Sequence, residues 1–288
     1  MRGDLAAWLT LLFAGLVVGQ PSERLAPVNL TVNSEKDDDE PYSSVRNGAG
    51  HLFFTRDGEL HFAQRSGQSW GKAKVFEELV QHRGEYRSVY VAYQKPTSQF
   101  PHYFIYATNR DLNKPDGKGD NFDIYLKLRD NAAGVDVNVA IPLHFSTADD
   151  ELHPWLTPGG TLYFSRKTKD GWRIYSATAG KEKMSFNKPE PVNLPIGFYH
   201  ATITPDGRTM YLQGPAENKK AAIFRSRLDN GEWSTPEELK ELNEPMAQRG
   251  NMSPSLTRDG ATLYFVSDRP GGKGGLDIWA IATDKLKK

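Results

Sequence analysis

The chain contains no cysteine. That excludes a disulfide framework, a thiolate metal site and a cysteine nucleophile. It carries no net charge, since 36 lysines and arginines balance 36 aspartates and glutamates. Nucleic acids and anionic membranes usually select a basic excess, so neither is an expected partner. It has no Gly-x-Ser-x-Gly elbow and no strand-to-helix alternation to carry one, which sets serine hydrolysis aside. Its long apolar run lies at the start: Leu5 to Val18 is apolar apart from Thr10. That is short for a membrane span. Met1-Arg2-Gly3 precedes it and Val17-Val18-Gly19 follows. The pattern predicts a signal peptide over residues 1–19, cleaved before Gln20, and hence a periplasmic or secreted protein without an integral span. With no cysteine after the run, a lipoprotein anchor is excluded.

What the chain has is glycine (26), proline (18) and aromatic residues (11%). In 288 residues this composition suggests many short strands and turns. One pattern recurs. Thr257-Arg258-Asp259-Gly260-Ala261-Thr262-Leu263-Tyr264-Phe265 returns as Thr204-Pro205-Asp206-Gly207-Arg208-Thr209-Met210-Tyr211-Leu212. It returns again as Thr157-Pro158-Gly159-Gly160-Thr161-Leu162-Tyr163-Phe164, and fainter copies end in Leu52-Phe53-Phe54 and Tyr103-Phe104-Ile105. A period of about fifty residues built of short aromatic strands indicates propeller blades.

Each copy has an inner strand, an Asp-Gly-type turn that supplies positive φ, and a Leu-Tyr-Phe strand. An Ile-aromatic strand follows, such as Ile174-Tyr175 or Ile278-Trp279. A fourth strand often carries proline, which an outer edge tolerates. The last copy lacks its fourth strand. Pro27-Val28-Asn29-Leu30 repeats Pro191-Val192-Asn193-Leu194 of the third copy letter for letter. The expected fold is therefore all-β: one five-bladed β-propeller over residues 22–288, closed by the N-terminal strand completing the last blade.

The last copy also carries a resemblance. The run from Thr257 to Phe265, then Ser267-Asp268-Arg269-Pro270-Gly271-Gly272 and Leu276-Asp277-Ile278-Trp279, resembles the WD40-like repeat of TolB-type exported envelope proteins. The resemblance implies a propeller and a non-catalytic binding or protein-interaction module. Its partner would be an envelope protein or a carbohydrate-like small ligand, and the protein a monomer.

Ligands of propellers sit at the channel mouth, where inner strands begin. Aligning the copies on Thr157, Thr204 and Thr257 puts His153, His200 and Ser253 at one position, with Glu40 and Arg87 from the fainter copies. Tyr42, Trp155 and Tyr199 lie beside that ring. Polar groups next to aromatic rings suit a sugar or another small polar ligand. The expected contact set is Glu40, Arg87, His153, Trp155, Tyr199 and His200. Inter-blade hydrogen bonding is the competing role for each residue.

Three chemistries compete with plain binding. Glycan cleavage needs a pair of carboxylates, for which Glu40 with Glu85 or Glu151 are the candidates. A divalent metal could be held by His153, His200 and Glu40; His51, His61, His82, His102 and His144 show no spacing that adds to it. No cofactor is otherwise expected. Asp111 to Asn121 offers oxygen ligands but not EF-hand spacing, so it reads as a turn-rich insertion. Gly271-Gly272-Lys273-Gly274-Gly275 reads as a flexible hairpin loop.

Overall fold

The computed structural model describes residues 27–286, apart from 47, 68, 78, 80–83, 94–101, 112, 115–116, 130–139, 183–184 and 244. The expected signal segment lies outside the described residues. Five small antiparallel sheets form a five-bladed β-propeller. The inner strands are Asp38–Arg46, Tyr86–Tyr93, Asp150–Leu156, Tyr199–Ile203 and Asn251–Leu256. The repeated aromatic runs are the second strands, and their side chains are packed away: Leu52, Phe54, Ile105, Leu162, Leu212, Leu263 and Phe265 have essentially no exposed surface. Among the described residues, no helix is long and apolar enough to cross a membrane.

The ring closes as the missing fourth strand requires. Val28–Asn29 pairs antiparallel with Asp277–Ala282, matching Val28 to Ala280 and Asn29 to Trp279. Asn33 extends the ladder with its side chain. Its Nδ2 donates to Ile278 O at 2.8 Å and its Oδ1 accepts from Ile278 N at 3.0 Å. The Pro-Val-Asn-Leu identity, however, is not in register. Leu30 N donates to Ile278 O, and Val192 N donates to Ile174 O, so Leu30 is the counterpart of Val192. A shift of two residues preserves which side chains face inward, because a strand repeats every two residues.

The glycine-rich segment seals this seam and is not a loose loop. Lys273 Nζ donates to Thr31 O and Asn33 O. A β-carbon on Gly274 would collide with the backbone of Ser34 and Glu35, and one on Gly275 with the Asp37 carboxylate.

Buried clamps join strands within blades. Arg56 Nε donates to Asp38 Oδ1 at 2.7 Å and its Nη2 to Val32 O at 2.9 Å. Arg166 repeats this with Glu151 Oε1 at 2.7 Å and Phe145 O at 2.9 Å. In the last blade, Arg269 bonds Asn251 Oδ1 and Leu242 O. Each guanidinium lies over the phenylalanine of its own second strand, Phe54, Phe164 or Phe265, within 5.5 Å of the centroid. The arginine of the Ser-Asp-Arg motif is thus a blade-building residue.

Candidate site at the channel mouth

Every inner strand breaks its ladder at the same place. The register shifts fall between Asp39 and Tyr42, Arg87 and Tyr90, Leu152 and Trp155, Tyr199 and Thr202, and Met252 and Ser255. At each bulge one non-glycine residue takes positive φ, between 49° and 56°: Glu40, Ser88, His153, His200 and Ser253. Such conformations carry a steric cost and cluster at functional sites. Proline follows three of them, at Pro41, Pro154 and Pro254, where the interrupted ladder needs no N–H.

The second blade corrects the sequence alignment, because its ring residue is Ser88 and not Arg87. The signal lay two residues on. Glu40-Pro41-Tyr42, Ser88-Val89-Tyr90 and His153-Pro154-Trp155 share an aromatic that an alignment on the turns did not use. Arg87 is half-buried on the next position out. It is paired with Glu85 at 3.4 Å and lies 5.5 Å from the Phe122 centroid.

Contacts of the bulge residues tie neighbouring blades together. Glu40 Oε2 accepts from Thr55 Oγ1 and from Ser88 N, both at 3.0 Å. Glu40 Oε1 lies 3.4 Å from His153 Nε2. The His153 and His200 rings stack, with centroids 3.9 Å apart. His200 N donates to Ser165 Oγ, and Ser253 N to Gln213 Oε1. Ser253 Oγ then donates to Asp39 Oδ1 at 2.5 Å, crossing from the last blade to the first.

The charges follow from these contacts. Burial alone would raise the Glu40 carboxyl. The hydrogen bond and charge of His153, with the charge of Arg87, outweigh burial and bring it down to about 2. Burial and the charge of His153 push His200 well below the ordinary imidazole value, so it is neutral. Asp39 behaves oppositely. Burial and the neighbouring Glu40 charge raise it, against the hydrogen bonds from Ser253 and the Glu40 amide. The two adjacent carboxyls are therefore pushed apart, the pattern that distinguishes an acid from a carboxylate.

Beneath the ring the channel is plugged. Tyr42, Tyr90 and Trp155 pack at centroid distances of 4.8, 5.9 and 5.6 Å. Tyr42 and Tyr90 donate to Val91 O and Leu156 O. The space between ring and plug is ≈ 20 Å³, enough for about one water. Trp155 thus belongs to the plug, and a sugar-sized ligand would rest on the mouth. Tyr199 does stand at the mouth. It stacks on Trp172 at 4.9 Å and 14°, both rings are partly exposed, and its hydroxyl accepts from Gln213 Nε2.

Of the candidate carboxylates, Glu151 has no exposed surface and is locked in the Arg166 clamp. Glu40 is buried and fully engaged. Glu85 is half-buried near the surface, between Arg87 and Lys118. The sequence reading missed Asp39, a half-buried residue at the mouth.

The histidine metal set does not assemble. Imidazole lone pairs lie in the ring plane, and two rings stacked at 3.9 Å and 17° cannot aim at one ion. Among the described residues, no three His, Asp or Glu side chains converge as a metal site. In the Asp111–Asn121 insertion, Asp120 is paired with Lys114.

No protein-family model and no curated protein sequence matches the chain. Solved structures do match in fold. One is a GH43 enzyme of Xanthomonas citri complexed with xylose, with a TM-score of 0.58 and 11% identity over 89% of both chains. Another is the catalytic domain of a Coprinopsis cinerea GH62 α-L-arabinofuranosidase, with a TM-score of 0.58 and 12% identity over 89% of this chain and 96% of that one. A third is a GH43 β-xylosidase/α-arabinofuranosidase from a compost microbial metagenome, with xylotriose in a calcium-free form. Its TM-score is 0.54, with 12% identity over 89% of this chain and 95% of that one.

These likenesses show the fold, and they correct two expectations. The neighbours are GH43 and GH62 glycoside hydrolases, not TolB-type repeat proteins. The non-catalytic binding module drawn from that resemblance is overturned with it, since these neighbours are enzymes. The resemblance rested on residues such as Arg269 and Phe265, which pack on one another inside a blade. Two stacked imidazoles and an already bonded carboxylate do not make the six to eight oxygen ligands that calcium takes.

Proposed function

We propose that the protein is an exported, single-domain, glycan-cleaving propeller acting on xylose- or arabinose-containing saccharides. The observation that carries this reading is the carboxyl pair at the mouth. Asp39 is half-buried, with its carboxyl raised above the ordinary aspartate value by burial and by the charge of Glu40, which stays ionised. The stacked Trp172 and Tyr199 offer a partly exposed aromatic surface for a pyranose face. The sugars bound by the GH43 neighbours, xylose and xylotriose, supply the substrate class.

In this reading Asp39 gives its proton to the glycosidic oxygen as the bond from the anomeric carbon breaks. Water adds to that carbon and loses a proton to Glu85, the half-buried carboxylate at the start of the neighbouring inner strand. Glu40 stays ionised and holds the proton on Asp39. The plug keeps the substrate on the surface, where chain ends and side branches can reach the acid.

The test is sugar release from xylotriose, arabinoxylan and nitrophenyl α-L-arabinofuranoside. Asp39→Asn should lower kcat by roughly 10²–10⁴-fold. If the wild-type protein releases no more sugar than Asp39→Asn from any of these, the proposal is wrong.

A further inference from the structure

Asp39 is held by one residue from the far end of the chain. Ser253 sits in the last blade with 3% of its surface exposed, and its hydroxyl reaches Asp39 Oδ1 across the closing seam. The Glu40 amide donates to the same oxygen at 2.6 Å. Asp39 Oδ1 therefore accepts two donors, while Oδ2 bonds to none of the described residues. A protonated carboxyl keeps its hydrogen on the oxygen that is not already accepting.

Ser253 is itself fixed. Its N–H is held by Gln213 Oε1 at 3.0 Å, and Gln213 Nε2 donates to the Tyr199 hydroxyl at 2.5 Å. Positive φ at Ser253 (51°) turns this short side chain toward Asp39 and not along the ladder. A continuous set of hydrogen bonds thus runs from the aromatic surface, through two blades, to the acid.

We propose that Ser253 is a positioning residue: it makes Oδ1 of Asp39 the accepting oxygen and leaves Oδ2 to carry and deliver the proton. The inference rests on the glycan-cleaving reading and adds a residue that no carboxylate search would find. The titratable groups facing Asp39 are Glu40 on its own strand, His153 from the third blade and Tyr199 from the fourth. The hydrogen bond from Ser253 favours the ionised form, so its removal raises the Asp39 midpoint.

The experiment is a carbon-13 titration of aspartate-labelled full-length protein, with the Asp39 signal assigned by Asp39→Asn. Ser253→Ala and Ser253→Gly both remove the hydroxyl, and glycine also suits positive φ, which separates the hydroxyl from backbone relief. In both variants the Asp39 midpoint should move up by about one pH unit. The basic limb of the kcat/KM profile should move with it. Unmoved midpoints in an active enzyme would overturn the role of Ser253 alone. A wild-type protein that cleaves nothing while the midpoint moves would refute the enzymatic reading and leave the hold on Asp39 standing.

Discussion

Asp38 and Glu151 occupy the same place in the first and third blades, each gripped by the arginine directly opposite it on the next strand. This pairing explains why a buried glutamate near the start of an inner strand is architecture. Removing one partner of a buried ion pair strands the other charge, at about 3–5 kcal/mol. Glu151→Ala should lower Tm by roughly 8–15 °C. Glycan cleavage measured well below that Tm should stay close to wild type. Loss of cleavage in a variant with unchanged Tm would return Glu151 to the site.

Stability should fall on acidification in two stages. His200 is held neutral well below its ordinary value, so the unfolded chain takes up its proton first, from about pH 6.5 downward. Glu40, depressed to about 2, contributes stability that is full above its ordinary value near 4.5 and lost as pH falls toward 2. Asp39 is raised, so its contribution has the opposite sign and partly offsets the second stage. Tm recorded from pH 7 to 3 should show both declines, and His200→Gln should flatten the first. A wild-type Tm that is flat from pH 7 to 5 would contradict the neutral His200.

The seam should be sensitive to single atoms. Gly274→Ala adds a methyl where Ser34 and Glu35 have backbone, and a forced shift of that kind costs about 1–3 kcal/mol. Asn33→Ala removes two bonds to a buried strand and leaves the Ile278 N–H unsatisfied, at about 1–3 kcal/mol, while Ile278 O keeps the Leu30 amide. Urea midpoints should drop for both. Wild-type midpoints would mean that the seam opens without consequence.

The aromatic surface should affect binding more than chemistry. Trp172→Ala removes one ring of the Trp172–Tyr199 stack, and a stacking contact on an aromatic ring is worth about 0.5–1.5 kcal/mol. KM for xylotriose should rise roughly 2–10-fold with kcat within a few-fold. A change confined to kcat would place Trp172 at the reacting bond.

Mass spectrometry of protein recovered from an exporting host should find Gln20 at the N-terminus. A retained Met1 would show that residues 1–19 are not removed.

The blade count and ring closure were legible because they depend on local grammar. Leu-Tyr-Phe runs, Asp-Gly turns and Ile-aromatic strands recur at one period, and each residue's job lies within its own blade. Registers were less legible. The Pro-Val-Asn-Leu identity is offset by two residues because a strand rewards parity, not identity. The Arg87 assignment failed by one residue because the second blade lacks the turn used as an anchor. Asp39 was hidden for a different reason. It is one acid among several between Glu35 and Glu40, and what singles it out is Ser253, 214 positions away. The stack of His153 on His200 was equally invisible, since an alignment places residues at equivalent positions without saying whether their ring planes meet.

The strand at Val28–Asn29 has a temporal consequence. It is synthesised first and finds its partner last, since Asp277–Ala282 emerges near the other end. Until then the last sheet has an open edge, and every shorter intermediate exposes unpaired N–H and C=O groups to other chains. Contacts this distant in sequence form slowly. A ribosome that stalls after the fourth blade would therefore release a product with no way to close, one marked for proteolysis or aggregation by topology alone.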